Sequence, residues 1–570
     1  MSQHRLTHCI LTALLLAVVA APTLADDAVD AWLAKQDFDA EAAMVRAKWH
    51  GPGYHSMVAP GTIVHPTRNS MMYAQALVRR GRPDDLKLAE KVINKVLTYQ
   101  DTDPSHKTYG IWPWLAEESL QQMSPPDWNW ADFIGASLVD MLVSYPDRLP
   151  DDLKQKMRAS VSHAAAAIRK RNVQPGYTNI AIMGGVVTTV AGELLDDQAL
   201  LDYGRARLQH CVEHANFHGN FTEYNSPTYT VVALLEAERG VRLIHDEDAR
   251  AAAEALRQIA WRTIAESFHP ATHQWAGPHS RAYSDRTRET TLQVLADRTG
   301  LKLLDEPAAV FPEDALPCPP QWIDQMKKLP QDPLELRRSF QRDKNGKIIR
   351  LGVTWMTADA TLGSINHSET WVQRHPIIGY WTIDKAEPAV FKVNLLKDGR
   401  EFSSGRLTTR QQGPTLLTAL SLDRRGGDWH IHIDRSKDGN FEFADLRLRF
   451  SVEGQGATAK KIDENTYELA AGERRIVIHT TGGNTFADLP VTWECGVDGG
   501  LAYVDAVCYH GDKRPFNFHK IPGIQLAAGV ELLKRDEPAS EAKLIVKPVD
   551  KTENQFTWGD LTLKAPLTVR

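Results

Sequence analysis

The strongest constraint on this chain is a change of hydrophobic period part-way along it. From about residue 29 to 300, apolar residues recur at helical spacing in helix-length segments broken by Pro, Gly and Asp. The segments fall in pairs: 68–80 with 84–99, 130–145 with 151–171, 179–195 with 197–215, and 227–245 with 248–268. Antiparallel helix pairs that pack only on their neighbours close into a ring, which predicts an incomplete or complete (α/α) toroid of about five to seven pairs. From about residue 339 the period drops to two. Residues 348–356, 429–434, 446–452, 475–480 and 543–549 are rich in β-branched and aromatic side chains. Turn sequences such as Lys437-Asp438-Gly439-Asn440 separate them. An antiparallel β-sandwich follows. Between the two regions, Pro312, Pro317, Pro319, Pro320, Pro330 and Pro333 break any helix and suit a connector. The expected layout is multidomain, α then β: a toroid over 26–305, a linker over 306–338 and a sandwich over 339–570.

Residues 1–25 read as an address. Weakly basic His4 and Arg5 precede an apolar run over 10–20, closed by Thr23-Leu24-Ala25 before Asp26, the pattern of a cleaved secretory signal peptide. The run falls short of the roughly 20 residues that span a bilayer, and no later stretch is long and apolar enough. A periplasmic or secreted protein without a membrane span is the expectation. With 42% hydrophobic and 24% charged residues the chain is not of the disordered class, and a net charge of -6 without a long Lys/Arg block argues against a nucleic-acid partner. A locally basic cleft is still compatible with an acidic polymer. Cys211, Cys318, Cys495 and Cys508 follow the leader. A Cys495–Cys508 bridge across a hairpin and plain buried thiols are both open, and the absence of any C-x-x-C pair argues against a zinc ribbon.

Three clusters carry candidate chemistry. The densest, 216–229, joins two helices and holds Glu223, Asn225 and Tyr229 among other amides and aromatics. Ser226 before Pro227 reads as an N-cap followed by proline at the first helical position, which puts Tyr229 in the first turn of the next helix, where negative charge is favoured. The second, 269–286, is a loop with His279, Arg281 and Tyr283. The planar fork of Arg281 suits a carboxylate and His279 titrates near neutrality. The third, 125–133, preceded by Trp112 and Trp114, brings Trp128, Asn129 and Trp130 together as a wall for sugar faces and hydroxyls. His65 and Arg68 are candidates for the same cleft. In the sandwich region His430 and His432 share a strand face with Asp434, a spacing that fits a metal, although an exposed polar face gives the same alternation and is the preferred reading.

Residues 219–229, GNFTEYNSPTY, resemble the DG-x-x-x-E-x-S-P-x-Y-H signature of the heparinase II/III-like and alginate lyase polysaccharide lyases. The resemblance implies a toroid joined to a sandwich, with Tyr229 at the place of the catalytic tyrosine. It also implies that Asn179, in GYTNIAIMGG, stands beside the substrate carboxylate and that His367, in GSINHSETW, is the histidine lent by the sandwich. Ile180 and Thr230 stand where many members carry His, His218 replaces Asp, and two residues separate Glu223 from Ser226. The motif therefore leaves the base open between Tyr229 and a histidine. The implied reaction is β-elimination on a uronic-acid-containing anionic polysaccharide. Asn179 and Arg281 would stabilise the enolate, and no cofactor is required, although a structural metal is left open. Two other readings stand beside it: a toroid glycoside hydrolase using Glu223 with Asp127 or Asp132, and a non-catalytic carbohydrate-binding protein.

Overall fold

Helices form where the 3.6-residue period places them. The computed structural model describes residues 24–569 apart from 52–54, 428–435, 437, 483 and 525, so most of the expected leader and the His430, His432 and Asp434 group lie outside the described residues. The helices are α1 (Leu24–Ala34), α2 (Thr67–Arg80), α3 (Pro83–Leu97), α4 (Asn129–Ser144), α5 (Asp151–Arg171), α6 (Thr178–Leu194), α7 (Gln198–His218), α8 (Tyr229–Leu243), α9 (Glu247–Ser267), α10 (Glu289–Thr299) and α11 (Pro320–Lys327). Asp197 and Asp246 cap α7 and α9 by accepting the backbone N–H groups of Leu200 and Ala249. Four regular antiparallel pairs are present among the described residues, fewer than the five to seven expected. The single helices α1, α10 and α11 take the remaining length.

Within the ring α2, α4, α6 and α8 pack on one another in that order, with α3, α5, α7 and α9 outside them. Because every pair is antiparallel, the four inner helices run parallel and begin at one rim. Hydrogen bonds across that rim record it: Trp130 Nε1 donates to Thr67 Oγ1 at 3.1 Å and Asn129 Nδ2 to the Tyr177 hydroxyl at 3.2 Å. An inner helix has no solvent face, and α6 is buried from Thr178 to Gly192.

The opposite rim is floored by the Pro-rich connector. Arg79 donates to the Pro312 carbonyl and pairs with Asp314, the Tyr145 hydroxyl donates to Asp314 at 2.9 Å, and Arg239 pairs with Glu313. The connector is not helix-free as expected, since α11 starts on it with Pro319 at the N-cap and Pro320 in the first turn. There the fixed proline φ and missing N–H cost nothing.

The first sandwich strand starts at Leu334, inside the expected linker. One sheet runs from Leu334–Arg342 at its edge through Ile348–Met356, Ala360–Ile365, Ile377–Ile383, Ala386–Lys397, Asn440–Glu453 and Leu501–Asn517 to Thr492–Asp498. The facing sheet runs from His367–Glu369 through Gly405–Gln412, Thr415–Asp423, Leu526–Lys534, Arg474–Thr480 and Thr466–Ala471 to Thr458–Lys461. Both are antiparallel ladders, the short Thr568–Val569 pairing parallel to Thr415–Asp423 excepted. Phe391, Phe443, Phe450, Leu416, Ile476 and Leu526 fill the space between them. The last strands, Ile545–Pro548, Glu553–Trp558 and Leu561–Pro566, form a separate three-stranded sheet. It lays Phe556 and Trp558 over Leu417 and Ala419, a third layer that the alternation alone does not distinguish from the sandwich.

Cys211, Cys318, Cys495 and Cys508 are all free thiols. Cys495 lies opposite Val504, which puts Cys508 four residues farther along the partner strand, about 13 Å away and beyond the reach of a disulfide. Among the described residues no group of three or more His, Cys, Asp or Glu could hold a metal ion, and no helix is long and apolar enough to cross a membrane.

Toroid and sandwich meet along residues 275–282. The Gly277 carbonyl accepts from Thr354 Oγ1 at 2.7 Å, His279 and His375 exchange backbone hydrogen bonds, and Ala282 N donates to the Gln373 carbonyl at 2.8 Å. Gly363 makes this approach possible, because a Cβ there would stand 2.0 Å from the Gly277 carbonyl oxygen. The variant Gly363→Ala is expected to lower unfolding stability by about 3 kcal/mol, the upper end for overpacking. It would be read as a drop in urea midpoint, and an unchanged midpoint would refute this packing.

Candidate active site at the toroid–sandwich cleft

Tyr229 is the first residue of α8, so its backbone N–H is one of the orphan donors of the helix start. Ser226 Oγ accepts from it at 3.0 Å and itself donates to the Arg281 carbonyl at 2.6 Å. One hydroxyl thus fixes both the start of α8 and the loop that carries Arg281. The helix begins two residues later than the Ser-Pro reading places it, yet Tyr229 still falls in the first turn.

The half-buried Tyr229 phenol meets the Tyr283 hydroxyl at 2.6 Å, and Arg281 Nη2 donates to both oxygens at 3.3 Å. The same guanidinium donates through Nε to Gln373 Oε1 at 2.8 Å and stands 4.0 Å from Glu223 Oε1. It also lies 5.5 Å from the Trp371 ring, so residues of both domains hold it. Burial pushes the Tyr229 phenol well above its ordinary value, and the nearby Arg281 guanidinium offsets only part of that, so the resting group is the protonated phenol. Tyr283 is 41% exposed, so the group reaches the surface through it.

Glu223 lies under this group. Burial pushes its carboxyl up to about 7, against the pull of Arg281, the backbone N–H groups of Thr178 and Asn179 at the start of α6, and Arg374. Asn179, the second residue of α6, is 1% exposed and its Oδ1 has no hydrogen-bond partner. The backbone of residues 178–179 therefore touches the cleft group through Glu223. Next along the rim, Asn129 donates to Tyr177 and accepts from Arg171 Nη1 at 2.6 Å. The Trp130 indole stacks on Trp114 at 5.0 Å, and the Arg68 guanidinium lies 3.7 Å from the centre of the Phe133 ring. Trp128 is half-buried at the N-cap of α4. Desolvation lowers the Arg68 pKa to about 10.

Several expected site residues point elsewhere. Asn225 is fully buried at a positive φ of 45°. Its Nδ2 donates to the carbonyls of Ala276 and Pro278, and its Oδ1 accepts from Ser267 Oγ and Trp275 Nε1, which leaves nothing for a ligand. His279 is 2% exposed, between the Trp275 carbonyl and the His375 ring, and burial pulls its pKa down to about 3. It is a neutral interface group with both ring nitrogens engaged. His65 is tethered between Glu117 Oε1 at 2.5 Å and Asp39 Oδ2 at 3.3 Å. His367 sits at the start of its strand, beside Glu369, Arg350 and Arg406, and its buried Nδ1 has no hydrogen-bond partner. Burial, Arg406 and Arg350 pull its pKa down to about 4, and no hydrogen bond joins it to Tyr229, Asn179 or Arg281. Of the carboxylates, Asp132 is 1% exposed, and both oxygens of Asp127 are taken by Trp114 Nε1 and Asn129 N.

Tyr177 is the functional candidate that the sequence reading passed over. Burial pushes its hydroxyl up to about 12, with Glu223 and Asp127 as electrostatic neighbours, and it is in turn a neighbour of Tyr229. Its signal was its position two residues before Asn179, at the lead into α6.

The pH dependence of Glu223 can be checked directly. A folded carboxyl at about 7, against 4.5 ordinarily, penalises the folded state once the unfolded chain ionises. The penalty is absent below pH 4.5, grows to about pH 7 and is constant above it. Between pH 4 and pH 8, Glu223→Gln should therefore gain about 2–3 kcal/mol of urea-unfolding stability relative to wild type. A difference independent of pH would contradict the burial argument.

A family model described as a domain of unknown function (DUF8769) matches residues 38–300. No curated protein matches the chain. Solved structures that it resembles include heparinase III, at 11% identity over 99% of this chain and 94% of that one with a TM-score of 0.43. A Streptomyces coelicolor A3 chondroitin AC lyase in complex with chondroitin sulphate is 10% identical over 95% of this chain and 84% of that one, at 0.47. A Paenibacillus xanthan lyase is 10% identical over 93% and 59%, at 0.42.

Proposed function

We propose that the protein is a polysaccharide lyase that cleaves a uronic-acid-containing anionic polymer by β-elimination, with Tyr229 as the residue that moves the proton. The observation that carries this reading is the Tyr229–Tyr283–Arg281 group: a half-buried phenol hydrogen-bonded by a guanidinium at the mouth of the cleft. The motif of residues 219–229 supports it.

Removing a proton from carbon next to a carboxylate needs a base and a stabilised enolate. Arg281 serves both ends, because its charge lowers part of the burial cost of deprotonating Tyr229 and is available to neutralise a substrate carboxylate. The N-termini of the inner helices add a positive field on the same rim. In the reaction Tyr229, acting as the phenolate, takes the C5 proton, the C4–O bond breaks as the C4–C5 double bond forms, and the departing oxygen takes the proton from the phenol so formed, which restores the phenolate. His367 and His279 are not needed as the base. Glycoside hydrolysis is disfavoured because Asp132 is buried and Asp127 already has both oxygens occupied. The leader over residues 1–25 fits action in the periplasm or outside the cell.

On a panel of uronans, wild type should release product absorbing in the ultraviolet band of the conjugated uronate, and Tyr229→Phe should release essentially none. Arg281→Gln should lower kcat by about 10²–10³, as for loss of one preorganised donor. Reducing ends without absorbance would mean hydrolysis, and equal product from Tyr229→Phe would remove tyrosine catalysis.

A further inference from the structure

Three donors and acceptors at the junction of α4, α5 and α6 form a chain with one possible polarity. Arg171, the last residue of α5, carries only donors, and its Nη1 is 2.6 Å from Asn129 Oδ1. That contact settles the orientation of the Asn129 amide: the oxygen faces Arg171 and the NH2 group faces Tyr177. Asn129 Nδ2 then donates to the Tyr177 hydroxyl at 3.2 Å, so that oxygen is an acceptor and its own hydrogen is turned away from Asn129. No other hydrogen bond of the Tyr177 hydroxyl occurs among the described residues. The side chain is half-buried on the rim, at the lead into α6, with Asn129 as a hydrogen-bond partner and Glu223 as an electrostatic neighbour.

We propose that Tyr177 is a specificity-determining residue whose hydroxyl, aimed by the Arg171–Asn129 relay, donates to a carboxylate oxygen of a substrate uronate. The inference rests on the function proposed above and adds a named contact that selects the anionic form of the sugar. An oriented donor loses little entropy on binding, and its bond to a charged acceptor is stronger than one to a neutral hydroxyl or ester. Burial keeps the phenol protonated throughout the neutral range, so the donor is always present. Asn129 and Arg171 act through Tyr177 and are positioning residues.

The test measures binding without turnover. In a Tyr229→Phe background, calorimetry compares a uronate oligosaccharide with its methyl-esterified counterpart, with and without Tyr177→Phe. The expected result is an approximately 10-fold weaker affinity for the uronate on loss of the phenol hydrogen bond, with affinity for the ester almost unchanged. Asn129→Leu, which keeps the hydroxyl but removes its orientation, should show a smaller loss of the same selectivity. Equal weakening for both oligosaccharides, or none for either, would overturn the proposal. The failure of the two readings is separable. A preference for the uronate that Tyr177→Phe abolishes, in a protein whose wild type forms no unsaturated product, retains the Tyr177 contact and loses lyase action. A protein that forms product without the Tyr177-dependent selectivity does the reverse.

Discussion

The four hydrogen bonds of the Asn225 amide hold the approach to α8 against residues 275–278, and the positions of the cleft groups follow from that join. Two of its partners are carbonyls of the segment that packs on the sandwich, and the other two anchor it to the end of α9 and to a buried tryptophan. Ser226, the next residue, extends the same join to Arg281 and to the first N–H of α8. A buried amide with all its valences used is rigid in a way that a hydrophobic contact is not, because displacing it strands several polar groups at once. Tyr229 and Arg281 come from segments about fifty residues apart, and this polar seam sets their separation.

On that frame the electrostatics are uneven by design of the chain path. The parallel inner helices put their N-termini, and so their partial positive ends, at the rim that carries Tyr177, Asn179 and Tyr229. Their C-terminal halves carry Arg79, Arg239 and Arg242, matched by Asp140, Glu313 and Asp314 at the far rim. Positive charge at the far end is thus neutralised internally. At the near end Arg281 faces a carboxyl that burial has pushed up to about 7 and that counters it only in part at neutral pH. On a chain of net charge -6, the uncompensated part of Arg281's charge is therefore a local product of topology and burial.

How much of this was legible in the sequence depended on range. The change from helical to alternating period is local, and the α2–α9 pairs and most sandwich strands fall close to where it puts them. Tyr229 was found because a Ser-Pro pair before an apolar segment announces a helix start. The errors concern direction. Asn225 and His279 are polar residues in loops, and nothing local says whether such a side chain turns to the cleft or into the seam behind it. Their partners, Ala276 and Pro278 for one and His375 for the other, are about 50 and 96 residues away. Tyr177 was overlooked for the same reason, since its role depends on Arg171 and Asn129 converging from two other helices.

The connector that crosses the far rim also bears on how a long polymer could be handled. With Glu313 and Asp314 tied to arginines on α2 and α8 and to Tyr145 after α4, the ring is a cup and not a tube. A chain cannot be threaded through it and released behind. On the function proposed above, a polymer has to be gripped and let go from the same side, lying across the opening between ring and sandwich, so the reach of the groove beyond the rim would decide how many sugars are held at each cut.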